Sequence, residues 1–270
     1  KHLSRRVELP SGLKEVSGIT RTTSGTLWMH NDSHNPPELF RVDPYSGRTL
    51  EVKKLPVPNL DWEDLASDTQ GNLYIGDFGN NYKKRENLRI YIYRPESGAL
   101  DSIKFSYPDQ KAFPPEHAID WNFNMEACVF FNDSLHLFSK NVFKGNFFTK
   151  HYVLPAKPGV YVAELRDSLR INNRVITGAA ISRDGKTLAL TGYIIGKRLG
   201  FLPYTRASAV FFSAFQGSNF FQGKKNKVRL PKFLIARQFE SITHWEGNTW
   251  LIANEGRKPQ TQALWRIKSR

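Results

Sequence analysis

The sequence predicts an all-β fold built from a repeated unit of four strands. Five copies of an apolar strand pair recur along the chain, and further strand-like runs follow each pair. No stretch of helical periodicity and no long uninterrupted apolar run breaks the series. Strand units that recur every 40–50 residues or so, with longer loops in places, are typical of β-propellers. We therefore expect a single β-propeller domain spanning residues 1–270.

Each strand pair has the same sequence pattern. A small or acidic residue precedes a short apolar strand, a turn with Gly or Asn follows, and a second apolar strand ends in polar residues. The five starts lie 46 to 63 residues apart, which leaves room for a four-stranded blade in each interval. The starts are Ser17, Glu63, Glu126, Gly178 and Glu240.

Two outer strands follow each of the first four pairs. They are predicted at residues 38–42 and 49–52, 89–93 and 102–105, 148–153 and 162–165, and 208–212 and 227–230. The fifth pair is followed by one run only, at 263–267, whereas the run at 5–9 has no pair of its own. We expect residues 5–9 to complete the fifth blade, because closing the ring protects the sheet edges. The alternative is a six-bladed ring with one degenerate blade.

The first strand of each blade lines the central channel of a propeller, so the five starting residues are expected to converge. Three of them, Glu63, Glu126 and Glu240, carry carboxylates that would repel one another unless a cation neutralises them. Ca²⁺ favours oxygen ligands in irregular geometry, and we predict a calcium site at these three residues. The alternative is that each Glu caps its own blade by bonding backbone N–H groups of the next blade.

Polar residues at the ends of the strand pairs are expected around the channel mouth. The second pair is the richest, with an acidic start at 61–66 and an Asp/Asn-rich turn at 76–81. The predicted binding residues are Asn31, Asp32, Asp64, Asp77, Asn80, Lys140, Tyr193, Asn254 and Glu255. His30 and His34 lie on a strand-to-loop segment and are not expected to form a zinc pair. No nucleophile elbow or phosphate-binding loop is present, so no catalytic residue is predicted.

The chain is basic, with 39 Lys and Arg against 25 Asp and Glu and a net charge of +14. Basic clusters at 53–54, 83–85, 197–198 and 224–227 are expected in solvated turns and outer strands, where they discourage edge pairing. These clusters would also attract an anionic surface. No nucleic-acid-binding motif is present, so nucleic acid is not the expected partner. The one cysteine, Cys128, is expected to be a buried apolar residue, and the protein is expected to be a monomer.

Three phrases at the inner strands resemble a known family. Residues 61–66 (DWEDLA), 239–242 (FESI) and 17–19 (SGI) resemble the SdiA-regulated periplasmic propellers, and similar phrases occur in esterase-like phytase-type propellers. The resemblance implies an extracytoplasmic propeller with Ca²⁺ near its axis. In the related paraoxonase-like and regucalcin-like propellers, an axial metal held by Glu, Asn and Asp activates lactone or ester substrates. The resemblance implies that the metal ligands of those propellers correspond here to Glu63, Asn31, Asp77 and Asn254. The pattern differs at two channel positions, which are Ser17 and Gly178 in this chain.

These observations favour a binding or interaction propeller. Its channel mouth is expected to take a small molecule or a protein partner, with Ca²⁺ ordering the site. The alternative is a metal-dependent hydrolase of lactones, phosphoesters or glycosides. The start of the chain is consistent with a processed product, so we expect a periplasmic, outer-membrane-associated or secreted protein.

Overall fold

The strands form five mainly antiparallel sheets arranged as a five-bladed β-propeller. The computed structural model describes residues 3–141, 148–170, 174–198, 202–231, 237–256 and 261–269; at 3–6, 195, 197–198 and 202–204 it describes the backbone alone. Within these ranges the five-bladed prediction is confirmed and the six-bladed alternative is wrong. The side chains of the basic pair at 197–198 lie outside the described residues.

Every blade runs from an inner strand at the channel to an outer strand at the rim. Strand β1 (Leu3–Glu8) precedes the first blade in sequence. Blade 1 contains β2 (Val16–Arg21), β3 (Leu27–Asn31), β4 (Glu38–Val42) and β5 (Thr49–Lys54), and blade 2 contains β6 (Trp62–Ser67), β7 (Leu73–Asp77), β8 (Arg89–Tyr93) and β9 (Leu100–Ser106). Blade 3 contains β10 (Met125–Phe131), β11 (Ser134–Ser139), β12 (Phe148–Pro155) and, after β13 (Gly159–Val162), β14 (Glu164–Arg170). Blade 4 contains β15 (Val175–Ile181), β16 (Thr187–Arg198), β17 (Leu202–Ser213) and β18 (Lys224–Arg229), and blade 5 contains β19 (Phe239–Glu246), β20 (Thr249–Asn254) and β21 (Ala263–Lys268). The described helices are three 3₁₀ turns, Ser11–Leu13, Ala118–Asp120 and Phe220–Gln222, and none of them has the length and hydrophobicity to cross a membrane.

The N-terminal strand closes the ring. Strand β1 pairs antiparallel with β21, from Leu3 opposite Ile267 to Glu8 opposite Ala263. Blade 5 therefore takes its outermost strand from the start of the chain, as the missing fourth run predicted. This arrangement joins the two ends of the described chain through backbone hydrogen bonds.

The outer part of blade 3 differs from the prediction. The run at 162–165 was expected to be one strand, but its residues belong to two strands in different blades. Strand β13 pairs in parallel with β9 and adds a fifth strand to blade 2, whereas β14 pairs with β12 in blade 3. Alternating polarity predicts that a segment is extended but does not say which sheet edge it joins, so the crossover was missed.

A β-bulge lies at the start of every inner strand. The pairing register of β2, β6, β10, β15 and β19 shifts by one residue at equivalent positions. The five bulged residues are Ser17, Glu63, Glu126, Thr177 and Glu240. Blade 4 therefore contributes Thr177, not the predicted Gly178. A Cβ at Gly178 would lie 2.6 Å from the Glu240 carbonyl oxygen, so this glycine permits close approach of blades 4 and 5.

The apolar core is divided among the five spaces between neighbouring blades. Each space holds its own cluster of buried side chains, and the cluster between blades 5 and 1 completes the circle. Trp28 and Trp62, for example, share the core between blades 1 and 2. Cys128 is buried as predicted, in the core between blades 2 and 3. Packing between blades holds the inner strands in place, and thereby positions the residues at the channel.

Candidate functional site

The five bulged residues surround one end of the channel. We call this end, where the inner strands begin, the top face. Two of the bulged side chains join neighbouring blades: Ser17 Oγ donates to the Glu63 carbonyl, and Thr177 Oγ1 donates to the Phe239 carbonyl at 2.8 Å. The glutamates at the other three positions are 3–5% exposed. The structure therefore brings three buried carboxyl groups together around the axis.

Asp32, Asp61 and Glu63 form the tightest acidic group, which we call the carboxylate cluster. One carboxylate oxygen of each residue lies within 4.8 Å of the others. Glu63 is 4% exposed. Within the described part of the chain, no hydrogen bond or ion pair engages its carboxylate. A buried carboxylate without a partner is costly, so the geometry leaves a place for a cation or a proton.

The loop after β7 holds two members of the cluster in place. A Cβ at Gly79 would lie 2.3 Å from Glu63 Oε1 and 2.4 Å from Asp61 Oδ2, so only glycine lets the loop pass so close. Asp77 accepts a hydrogen bond from the backbone N–H of Asp61 at 3.0 Å and forms an ion pair with Arg85 at 2.9 Å. Asp77, a predicted binding residue, thus positions Asp61.

Asn80, the remaining predicted residue of this loop, also forms hydrogen bonds with the backbone. Asn80 Oδ1 accepts from the backbone N–H of Arg85 at 3.1 Å, and the Asn80 N–H donates to Asn124 Oδ1. The second bond ties the blade 2 loop to the segment that leads into blade 3. Asn80 therefore connects the two blades that carry Glu63 and Glu126.

Burial and mutual repulsion shift the cluster toward its protonated form. Burial, reinforced by the charges of Asp61 and Glu240, raises the pKa of Asp32 to about 6. Burial likewise raises the pKa of Asp61. The pKa of Glu63 is raised well above its ordinary value by burial and by the neighbouring Glu126, Asp32 and Asp61. A divalent cation would reverse these shifts by favouring the ionised carboxylates.

Glu126 and Glu240 already have partners in the protein. Glu126 forms an ion pair with Lys140 at 2.7 Å and accepts a hydrogen bond from Asn124. Burial raises the pKa of Glu126 to about 7, although Lys140 opposes that shift. Burial tends to lower the pKa of Lys140, but the carboxylates around it outweigh that effect and raise it.

Glu240 is held by neutral donors. Its Oε1 accepts hydrogen bonds from the Tyr193 hydroxyl at 3.2 Å and from Gln238 Nε2 at 3.0 Å. Of the three predicted metal ligands, only Glu63 belongs to the carboxylate cluster. Lys140 and Tyr193, both predicted at the mouth, bond the other two glutamates.

Asp64 lies on the channel axis, below the bulged residues. Its side chain is fully buried and accepts hydrogen bonds from the backbone N–H groups of Leu65, Cys128 and Ala179 at 2.9, 2.8 and 3.3 Å. It thereby joins blades 2, 3 and 4 across the centre. The cross-blade bonding considered for the glutamates is made here by Asp64. Its carboxylate separates the two ends of the channel.

The other predicted residues maintain local structure around the mouth. Asn31 Nδ2 donates to the Gly12 carbonyl at 2.7 Å, and Asn254 Nδ2 donates to the carbonyls of Glu255 and Thr261 at 2.7 and 3.2 Å. The Glu255 N–H donates to the Gln238 carbonyl at 3.1 Å. His30 is fully buried, and burial lowers its pKa to about 4, so it is a neutral core residue at physiological pH.

The opposite end of the channel, the bottom face, holds a cavity of about 340 Å³. Its walls combine apolar groups such as Ile19 and Val129 with hydroxyl groups such as Thr20 and Thr243. Asp68 also borders the cavity, but its carboxylate already accepts bonds from Asn72, Tyr74 and backbone N–H groups. This cavity and the carboxylate cluster therefore lie at opposite ends of the channel. We place the candidate site at the top face, where groups with shifted pKa values converge.

Comparisons with known proteins identify the fold. The sequence matches no family model and no curated protein. The PQQ-bound aldose sugar dehydrogenase of Streptomyces coelicolor is similar in structure, with 11% identity, a TM-score of 0.56 and coverage of 98% of this chain and 97% of that one. A mannose phosphorylase of Leishmania mexicana in complex with phosphate has 11% identity and a TM-score of 0.53, covering 99% of this chain and 89% of that one.

A third similar structure belongs to a protein provisionally named gluconolactonase. It has 12% identity and a TM-score of 0.50, over 95% of this chain and 75% of that one. The chain shares its fold with propeller proteins. At these identities the likeness concerns the fold alone.

Sequence reasoning missed several residues of the site. Asp61 precedes the aligned start of β6 and was not assigned a role, although it stands in the quoted acidic phrase. Asn124 was missed for the same reason, because it lies two residues before Glu126, where the aligned repeat begins. Lys83 and Arg85 were expected in a solvated cluster, yet Lys83 is only 4% exposed and Arg85 pairs with Asp77. A clue to Arg85 was the neighbouring Asp/Asn-rich turn, which needs a cationic donor to balance its acidic oxygens.

Proposed function

We propose that this protein is a ligand-binding propeller whose top face holds a divalent cation, Ca²⁺, at Asp32, Asp61 and Glu63. One observation carries the proposal: three carboxylates meet within 4.8 Å, and the buried one has no partner among the described residues. The proposal keeps Glu63 from the predicted trio and replaces Glu126 and Glu240 by Asp32 and Asp61.

The donor set fits a hard cation. All three ligand groups are carboxylates, and Ca²⁺ takes oxygen ligands, including carboxylates in one- or two-oxygen contacts. The nearby Lys140 neutralises Glu126 and leaves the cluster acidic. When bound, the cation would supply an electrophilic centre that attracts oxygen atoms of a ligand. We expect Lys140 and the Tyr193 hydroxyl, which bond Glu126 and Glu240 at the same mouth, to contact the same ligand.

Calcium binding by purified, chelator-treated protein tests the site. We expect Ca²⁺ to raise the melting temperature, since a ligand at a hundred times its Kd stabilises the native state by about 2.7 kcal/mol. Asp61→Asn and Glu63→Gln should each abolish this rise. Glu240→Gln is the matched control: it removes a buried carboxylate at the same mouth but outside the cluster, and it should retain the rise.

Gly79→Ala provides a test that leaves every carboxylate in place. A methyl group there would collide with Glu63 and Asp61, so the cluster must open and calcium binding should weaken at least tenfold. Gly98→Ala is the control, because a Cβ at Gly98 meets no atom within 4 Å. Its backbone is left-handed, so it should lose stability but keep its calcium affinity. A retained calcium response in the Asp61 and Glu63 variants would disprove the site.

The alternative, a metal-dependent hydrolase, draws support from Glu126. A carboxyl group with a pKa of about 7 is suited to general acid–base chemistry near neutral pH. We expect no turnover in a screen of lactones, phosphoesters and glycosides with Ca²⁺. Calcium-dependent turnover that disappears in Glu126→Gln would replace the binding function with this alternative.

An extracytoplasmic location and a monomeric state belong to the same proposal. The phrases at 61–66 and 239–242, which resemble SdiA-regulated propellers, support the location. Cell fractionation and light scattering would test location and mass. Recovery in the cytoplasmic fraction would contradict the location, and a dimer mass would contradict the monomer.

A further inference from the structure

A group of five cations lies on the side of blade 4 that faces blade 3, far in sequence from the carboxylate cluster. Strand β18 carries Lys225, Lys227 and Arg229 at alternate positions, so their side chains share one face. In the pairing of β17 with β18, Arg229 lies opposite Ser208 and Lys227 lies opposite Val210. We call this group, completed by Arg174 and Arg206, the cationic cluster.

The strand register places Arg206 on the same face. Arg206 precedes Ser208 by two residues on β17, so both side chains leave the sheet on the same side. Val210 and Phe212, further along this side, pack in the core between blades 3 and 4. The cluster therefore lies at the rim of the groove between these two blades.

Arg174 brings a buried guanidinium to this group. Its residue is 4% exposed, and its Nη1 donates to the carbonyls of Gly192 and Arg206 at 3.2 and 3.3 Å. Burial, together with the charges of Arg229 and Arg206, lowers the pKa of Arg174 to about 10. Lys227 is affected in the same way: burial and four neighbouring cations lower its pKa.

In the part of the chain that the structure describes, no carboxylate balances this charge. Within the described ranges, none of the five cations forms an ion pair. The segments outside those ranges contain no Asp or Glu. On the outer strand of blade 3, Glu164 contacts Arg166 and Asp167 contacts His151. Beneath the arginines, the fully buried Ser208 hydroxyl also has no partner in the described structure.

We propose that Arg174, Arg206 and Arg229 bind a phosphate or sulfate group, with Lys225 and Lys227 extending the positive rim. Guanidinium groups present paired N–H donors that match the oxygen atoms of a tetrahedral oxyanion. A dianion would relieve the repulsion among the three arginines and neutralise the buried Arg174. This site is independent of the calcium site, because it uses different residues on a different part of the propeller.

Titration with inorganic phosphate and inorganic sulfate at constant ionic strength tests the proposal. We expect saturable heat of binding and a rise in melting temperature over a chloride reference. Arg229→Gln should weaken binding at least tenfold, because a charge-assisted pair is lost. The matched control is Lys54→Gln, which removes one charge from β5, the edge strand of blade 1, and should change affinity less than twofold. Arg229 is exposed, so its variants are expected to fold even if Arg174 variants do not.

Arg229→Lys separates a built site from general attraction. It keeps the charge but loses the paired donors, so we expect a several-fold loss of affinity. Binding that survives Arg229→Lys unchanged would overturn the proposal in favour of a diffuse field. A second arm compares vesicles of phosphatidylglycerol with vesicles of phosphatidylcholine. Arg229-dependent binding to the anionic vesicles alone would identify the phosphate group as one carried by a lipid. Binding of neither anion nor vesicle would refute the site.

Discussion

The two ends of the central channel are built from the same five inner strands but differ in chemistry. The top face gathers Asp32, Asp61, Glu63, Glu126 and Glu240, whereas the bottom face has a cavity of about 340 Å³ with hydroxyl and apolar walls. Asp64 separates them by bonding backbone N–H groups of blades 3 and 4. Every inner strand has a bulge at its top end, which turns an additional side chain toward the axis, whereas β19 alone among the described inner strands has a second one, between His244 and Glu246.

The two ends differ because different segments of the chain surround them. At the bottom the strands turn back through short hairpins, whose polar groups bond within the turn, as Asp68 does. At the top, long loops bring residues such as Asp61 and Arg85 from outside the strands. Substitutions at Asp64, Asp32 and Thr20 would test how far the two ends depend on each other.

Asp64→Ala should have the largest effect because it removes the group between the two ends. Three backbone N–H groups would lose their acceptor at a position that is fully buried. We expect a loss of about 3–5 kcal/mol in the free energy of unfolding, measured by urea denaturation. Asp64→Asn keeps one acceptor oxygen and should lose less. Equal stability of Asp64→Ala and the parent protein would show that the two ends do not depend on this residue.

Asp32→Asn should give a pH-dependent effect confined to the top face. The pKa of Asp32 is raised from 3.8 to about 6, so the protonated form favours the folded state. That stability is fully present below pH 3.8 and is lost as the pH rises through 6. Without divalent cations, the variant should therefore exceed the parent by about 1–2 kcal/mol at pH 7.5, with the two converging near pH 4.

Calcium should reverse that order at pH 7.5, because the substituted asparagine cannot supply a charged ligand. Thermal unfolding at both pH values, with and without Ca²⁺, measures all four states. A variant less stable than the parent in the absence of calcium at pH 7.5 would contradict the buried-charge account of Asp32.

Thr20→Val should have the smallest effect and concerns the bottom face. It removes the hydrogen bond between Thr20 Oγ1 and Ser67 Oγ, which joins blades 1 and 2 at 3.0 Å. We expect a loss of about 0.5–1 kcal/mol and an unchanged calcium response. Thr23→Val, which breaks an exposed bond between the same blades, should cost less. A reduced calcium response in Thr20→Val would mean that the two ends are coupled.

Much of the fold follows from local pattern. Repeated strand pairs at 46 to 63 residues predicted five blades, and the unpaired run at 5–9 predicted the closing strand, which spans Leu3–Glu8. These features are visible in sequence because strand alternation and repetition depend on neighbours along the chain. The acidic starts of β6, β10 and β19 could also be located, since the repeats align them.

Only the tertiary structure decided which of these side chains meet. A bulge shifts the pairing by one residue, so blade 4 presents Thr177 instead of the expected Gly178. Among the described residues, Lys140 forms its ion pair with Glu126 and not with Glu63, and Asp61 joins the cluster because Gly79 lets its loop pass close by. Likewise, the cations of blade 4 converge through pairing of β17 with β18 and the approach of Arg174. The sequence shows which residues are present and how far apart they lie along the chain. Charge pairing depends on distances between residues of different blades, and these residues come close only when the ring has formed.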